Sequence, residues 1–242
     1  MIEIDSLSIK DRKGNRLLDE MEFYIDSEDL TIICGQPGSG KTLLMKAMKG
    51  IISEDLKLEG KIRKKGDIGL IFQEPRKQMV RRNVKMEAAF DLENKALSRE
   101  MIEARIEKYS DFLGAKDLLH KDIDELSHGE LTKVAILSTL VREPDILLLD
   151  EPISTLDHDN RMMLLNIIRG LRKRDTKVLI AEHDIRDLVE ITDKIILLKD
   201  GSVLSIGEPE EMKLSLYKEG VKIPFEWKLD ILTEEEHYED KD

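Results

Sequence analysis

The sequence predicts an α/β fold: a mostly parallel sheet, antiparallel strands at the N-terminus, and a helical subdomain inserted into the core. Three observations carry that expectation. Five short apolar runs punctuate the chain, helix-like segments lie between them, and one long central stretch holds no strand-like run. Runs this short and this evenly apolar fit strands covered on both faces, as in a parallel sheet.

The elements follow in chain order. "IEIDSLSI" and "RLLDEMEFYI" alternate loosely and are separated by turn chemistry at "KGN" (13–15), which predicts antiparallel strands flanking the sheet. "LTIIC" (30–34) is the first apolar strand, and "GQPGSGKT" leads from it into the helix-like "LLMKAMKG". "IGLIF" (68–72) is the next strand. From about Glu74 to Arg142 the pattern is helical; within Arg99 to Leu113, Ile102, Ile106, Tyr109 and Leu113 recur at spacings of four, three and four, one face of a helix. "ILLLD" (146–150), "KVLIA" (177–181) and "KIILL" (194–198) complete the strands. The final "TEEEHYEDKD" is acidic and poor in large apolar groups, which predicts a solvated tail.

Composition narrows the function. The 242 residues suffice for one α/β unit with an inserted subdomain, and 40% hydrophobic with 37% charged residues describes a soluble globular chain. A formal net charge of -12 argues against a polyanionic partner, so no nucleic acid is expected. The single cysteine, Cys34, sits inside an apolar run, which excludes a disulfide framework and predicts a buried core residue. The N-terminus lacks a basic start followed by an apolar stretch, and no apolar run approaches the roughly 18 residues that span a bilayer. The chain is expected to be cytoplasmic, and at a membrane only if a partner holds it there.

Two motifs carry phosphate chemistry. In "GQPGSGKT" (Gly35, Gln36, Pro37, Gly38, Ser39, Gly40, Lys41, Thr42) a strand, a glycine-rich turn and a helix follow one another, the context a phosphate loop requires. Backbone N–H groups and the helix N-terminus would face phosphate oxygens, Lys41 would reach the β and γ phosphates, and the Thr42 hydroxyl would ligate Mg²⁺. "ILLLDEP" puts Asp150 and Glu151 at the end of a buried strand, the first suited to Mg²⁺ and the second to deprotonating an attacking water. His120, His128, His158 and His237 show no metal-ligand spacing, so no zinc site is expected.

Together with these loops, "IFQEP" with Gln73, "LSHGE" (126–130), "STLD" ending in Asp157 and "AEHD" with His183 occur in an order that resembles the ATP-binding cassette ATPases, over essentially the whole chain to about Glu211. The resemblance implies a P-loop NTPase core in residues 1–73 and 143–215, a helical insertion bearing the signature in 74–142, and a C-terminal extension and acidic tail in 216–242. It implies ATP and Mg²⁺ as cofactors, with Thr42, Gln73 and Asp150 toward the metal and Glu151, His183 and Gln73 as the catalytic set. Ser127 and Gly129, at the start of a helix, would meet the γ phosphate held by the phosphate loop of a second protomer, with Asp157 also in the nucleotide-binding set. The chain would then be half of a homo- or heterodimeric sandwich. Two departures stand out: the N-terminal stretch lacks the family's adenine-stacking aromatic, leaving Arg12 as the candidate, and His128 and Glu130 alter the signature.

"IFQEPRKQMV" with the helical stretch after it, and "GVKIPFEWKLDIL" near the end, look like the energy-coupling-factor and cobalt/nickel-uptake branch. That resemblance implies an ATPase subunit powering uptake through an integral membrane subunit, peripheral to the inner face of the cell membrane. Met79, Val80, Val84, Met86, Ala89 and Phe90 would supply either a repackable docking surface or the core of the insertion. "RKQMVRR" would be either a headgroup-facing patch or a solvated basic face. A soluble cassette ATPase acting as a mechanical switch is the alternative, although the chain carries no coiled coil, tandem cassette or basic arm.

Overall fold

A computed structural model describes residues 1–25, 30–174 and 176–239, the last six by backbone alone. Two compact units emerge, Met1–Lys65 with Lys177–Asp242, and Gly66–Thr176.

In the first unit, β1 (Ile2–Lys10) and β2 (Arg16–Ile25) form the expected antiparallel hairpin. Its turn is organised by Asp11, whose carboxylate accepts from Lys13 N at 2.8 Å and Asn15 N at 2.9 Å. Strict alternation would send half of the β1 apolar side chains to solvent, because Ile2 and Ile4 differ in parity from Leu7 and Ile9. An irregularity between Ile4 and Leu7, with Ser6 at φ 51, absorbs the difference, and all four are buried. β4 (Lys57–Lys64) pairs with the other side of β1. Its sequence, KLEGKIRK, holds no apolar run because it is an edge strand whose charges discourage further pairing.

The parallel part of this unit places β3 (Thr31–Cys34) between β7 (Lys177–Glu182) and β8 (Lys194–Lys199), and β9 (Ser202–Gly207) runs antiparallel to β8. β3 and all of β7 but Lys177 are buried, as unbroken apolar runs require. Helix α1 (Lys41–Lys49) follows β3 and buries Leu44, Met45 and Met48. Cys34 is a buried core residue, and burial pushes its thiol well above the ordinary range.

In the second unit, β5 (Ile68–Ile71) pairs in parallel with β6 (Ile146–Asp150). Between them come α2 (Val84–Asn94), α3 (Arg99–Phe112) and α4 (His128–Leu140) with short 3-10 turns. The Asn83 and Ser98 side chains cap α2 and α3. Ile102, Ile106, Tyr109 and Leu113 are buried, as their spacing predicts. α4 packs against α2, α3 and β5 and so is apolar nearly all round. α5 (His158–Arg172) follows β6.

Back in the first unit, α6 (Pro209–Lys218) and α7 (Phe225–Glu239) end the chain. The acidic stretch expected to be a solvated tail is therefore helical in its backbone to Glu239. Its side chains beyond residue 233, and residues 240–242 entirely, lie outside the described residues.

Candidate nucleotide site

In the first unit, the chain leaves β3 into the glycine-rich loop and re-enters regular structure as α1. Gly40 is the N-cap of α1 at φ 102, a conformation costly for any residue with a Cβ, and an added Cβ would lie 2.5 Å from Leu18 Cδ2. Gln36, Pro37, Gly38 and Thr42 are exposed, whereas Lys41 is only 4% exposed. The Lys41 ammonium donates to Gly35 O at 2.9 Å and Gln36 O at 3.2 Å. Ser39 is buried with a hydroxyl that has no hydrogen-bond partner among the described residues. α1 carries no acidic residue in its first turn, so nothing there offsets the positive end of the helix. A buried ammonium, an unsatisfied hydroxyl and an uncompensated helix N-terminus fit the phosphates of a nucleotide.

His183 follows β7 in the same unit. The fully buried Glu182 carboxylate accepts from His183 N at 3.2 Å and lies 3.7 Å from its Nδ1. The carbonyl of His183 accepts from Lys222 N at 3.1 Å.

In the second unit, Asp150 ends β6 and is 2% exposed. Glu151 takes φ 46, a left-handed conformation costing a non-glycine residue roughly 1 kcal/mol or more and typical of functional positions. Gln73 Nε2 donates to Glu151 Oε2 at 2.9 Å, so two of the three residues given catalytic roles are in direct contact. Of the residues expected to face Mg²⁺, Thr42 carries a hydroxyl, Gln73 an amide oxygen and Asp150 a carboxylate. That donor chemistry fits Mg²⁺, which takes few protein ligands and completes its shell with phosphate and water.

The signature opens α4. Ser127 is the N-cap: its Oγ accepts from Glu130 N at 3.3 Å, and Glu130 Oε2 accepts from Ser127 N at 2.8 Å, a reciprocal capping box. As an acceptor within the cap, the hydroxyl keeps its proton for donation to an anion. Gly129 faces Asn160, whose Oδ1 would stand 2.1 Å from an added Cβ. Asn160 is in turn held by Asp157, the N-cap of α5, at 2.9 Å through its backbone and 3.0 Å through its side chain. Asp157 thus has a structural duty to α5, and a side chain at Gly129 would displace that of Asn160. His128 Nε2 lies 2.6 Å from Thr155 Oγ1, a contact that occupies this ring nitrogen.

Glu130, one of the two residues that alter the signature, is partly neutralised by Lys121 at 2.8 Å. That ion pair and the Ser127 hydrogen bonds lower its pKa from 4.5 to about 2. A depressed carboxylate stabilises the fold above its unfolded-state pKa, and the contribution fades as pH falls through the folded value. Glu130→Gln is therefore expected to lower the melting temperature at pH 7, with the difference from wild type shrinking between about pH 4.5 and about pH 2. Melting curves of both proteins across that range provide the check, and a pH-independent difference would contradict it.

Lys121, Thr155, Asn160 and Glu182 went unread in the sequence. Thr155 and Glu182 lie inside the STLD and AEHD motifs, and Asn160 stands three residues after a helix-capping Asp. Arg12 is exposed and ion-paired with Asp55.

This architecture is that of a P-loop ATPase. A family profile described as ABC transporter matches residues 18–154, more than half of the 242. The energy-coupling factor transporter ATP-binding protein EcfA1 of Ligilactobacillus salivarius is 32% identical over 246 residues, covering 95% of this chain and 86% of the relative. The structure of CbiO1 from Clostridium perfringens, described as part of the ABC transporter complex CbiONQ, superposes with a TM-score of 0.79 at 27% identity, over 90% of this chain and 91% of that one. At 22% identity and a TM-score of 0.75, a dimeric ATP-binding cassette in a post-hydrolysis state with ADP and Pi shares the fold over 86% of this chain and 99% of that one. The chain belongs to the ABC transporter family, as an ATP-binding, ATP-hydrolysing subunit.

Proposed function

We propose that this subunit hydrolyses Mg²⁺-ATP in a sandwich of two cassettes and powers substrate uptake through an integral membrane subunit, peripheral to the cytoplasmic face of the membrane. The second cassette is either a copy of this chain or a related one. Residues 1–73 and 143–215 would form the ATPase core, 74–142 the signature-bearing insertion and 216–242 the C-terminal extension. Lys41 and the loop Gly35–Thr42 would hold phosphates, with Thr42, Gln73 and Asp150 toward the metal. Mg²⁺, when bound, would neutralise charge on the phosphate oxygens. Glu151 would take the proton of the attacking water while Gln73 holds that carboxylate, and His183 would contact the γ phosphate. Ser127 and Gly129 would serve the partner's nucleotide, with Asp157 near the shared boundary.

The observation that carries the transport reading is the Gln73–Glu151 hydrogen bond, because Gln73 begins a segment whose apolar side chains face outward. Val80 is 64% and Met86 63% exposed, whereas Val84 and Ala89 are core and Phe90 is half-buried beneath the Arg81 guanidinium. The buried Glu87 carboxylate accepts from Val80 N at 2.9 Å and Arg81 N at 2.6 Å, clamping the turn so that Val80 points out. A membrane partner seated there would act on the base through Gln73.

Val80→Asp with Met86→Asp is expected to release the chain from membranes carrying its partner, with nucleotide binding and melting temperature kept near wild type. Sedimentation of the membranes reads the first and calorimetry the others. Wild-type membrane association of a folded double variant would refute the docking surface.

A further inference from the structure

Gln36 and the loop after β7, both parts of the proposed site, are gripped by one short piece of the C-terminal extension. Gln36 Nε2 donates to Glu219 O at 2.9 Å and to Gly220 O at 2.8 Å. Two residues on, Lys222 N donates to His183 O at 3.1 Å and Lys222 O accepts from Ile185 N at 2.9 Å, an isolated β-bridge between Asp184 and Lys222. The strap is anchored outside the loops as well: Lys199 pairs with Glu219 at 2.9 Å, and Val221 and Ile223 are buried. At Gly220 the chain takes φ 67, and an added Cβ would lie 2.7 Å from Gln36 Nε2, so backbone conformation and space both call for glycine. A turn in the last stretch of the sequence is thus fitted to the side chain of a phosphate-loop residue.

We propose that Glu219–Lys222 is a positioning strap that couples the phosphate loop to the histidine loop and makes nucleotide binding responsive to whatever engages α6 and α7. The inference rests on the ATPase reading and concerns regulation of that same site. Its physical route begins at Lys41, whose ammonium donates to the backbone carbonyl of Gln36. A phosphate in the loop competes for that ammonium, leaving the Gln36 carbonyl without its charge-assisted bond and altering the peptide that aims the Gln36 side chain. That side chain holds Glu219 O and Gly220 O, and the strap continues directly to the Lys222 groups bonded to His183 and Ile185. Linkage requires the converse: a ligand or partner that shifts the strap through α6 or α7 changes nucleotide affinity by the same factor.

Hydrogen exchange on the 242-residue chain, with and without Mg²⁺-ATP, is the test. In wild type, nucleotide is expected to change the exchange rates of the Ile185 and Lys222 amides by about threefold or more. Gly220→Ala displaces the Gln36 amide, and it is expected to abolish that change and weaken ATP affinity by about fivefold, the worth of one hydrogen bond. Binding of a fluorescent ATP analogue is measured in parallel. Bound analogue with unchanged exchange at Ile185 and Lys222 in wild type overturns the strap and leaves the ATPase reading intact. A folded Gly220→Ala protein with wild-type affinity and wild-type nucleotide-dependent exchange overturns it equally. The wild-type experiment decides by itself if the variant does not fold.

Discussion

Replacing Glu151 by Gln is expected to lower ATP turnover by about a hundredfold or more while leaving nucleotide binding intact, because the change removes the proposed base and little else. The substitution is close to isosteric, and its amide oxygen can still accept the Gln73 Nε2 hydrogen bond seen at 2.9 Å. The backbone demand at φ 46 is the same for either residue, so the fold should be unaffected. What disappears is the lone pair basic enough to take a proton from water during in-line attack. With ATP bound and hydrolysis blocked, the ATP-bound dimer should accumulate, readable by size-exclusion chromatography with and without ATP. Single-turnover hydrolysis gives the rate, and turnover at the wild-type level would remove Glu151 from its assigned role. A Gln73→Ala companion separates orientation from basicity: it is expected to slow hydrolysis by less than Glu151→Gln, since it loosens the carboxylate without neutralising it.

The elements that the sequence made legible are those whose residues answer to one dominant force. β3, β5, β6, β7 and β8 could be read because burial on both faces leaves unbroken apolar runs, and the phosphate loop could be read because its glycines, Lys41 and Thr42 must stand in fixed order between a strand and a helix. β4 and β9 could not, since edge strands trade apolar character for charge or mixed exposure, and KLEGKIRK looks like any solvated segment. The candidate site divides along the same line. Gln73 and Glu151 were named from separate motifs 78 residues apart, but their hydrogen bond is tertiary and has no local signature. Gly129 had a plausible reason in its approach to phosphate, yet the Asn160 side chain supplies another that only the packed structure reveals. Lys121, which answers the charge of Glu130, and Lys222, which holds the histidine loop through its backbone, left no pattern because pairing and backbone bonding constrain residue type weakly.

The Asn160 contact also changes how a trans-acting signature has to be tested. Gly129→Asp alone would also displace the Asn160 side chain, so a loss of activity would not by itself report on a partner's nucleotide. Combining it with Asn160→Ala removes the atoms that an added Cβ would strike. Asn160→Ala by itself is expected to be mild, because Asp157 still caps α5 through the backbone N–H of residue 160, at 2.9 Å. In that relieved background the Gly129→Asp substitution would put a carboxylate where the proposal has the backbone approach phosphate, and activity is expected to fall by at least about a hundredfold. Lys41→Ala, which loses the ammonium of the phosphate loop, should be comparably inactive. Mixing the two inactive proteins then discriminates: if the signature acts across a dimer of identical chains, each mixed dimer contains one site with Lys41 and an intact signature. Half of randomly paired dimers are mixed, so recovery should approach about a quarter of wild-type activity. Mixed dimers demonstrated by differential tagging but devoid of activity would refute action across the interface. Absence of mixed dimers, with neither protein pairing with itself, would instead identify a related cassette as the second half of the sandwich.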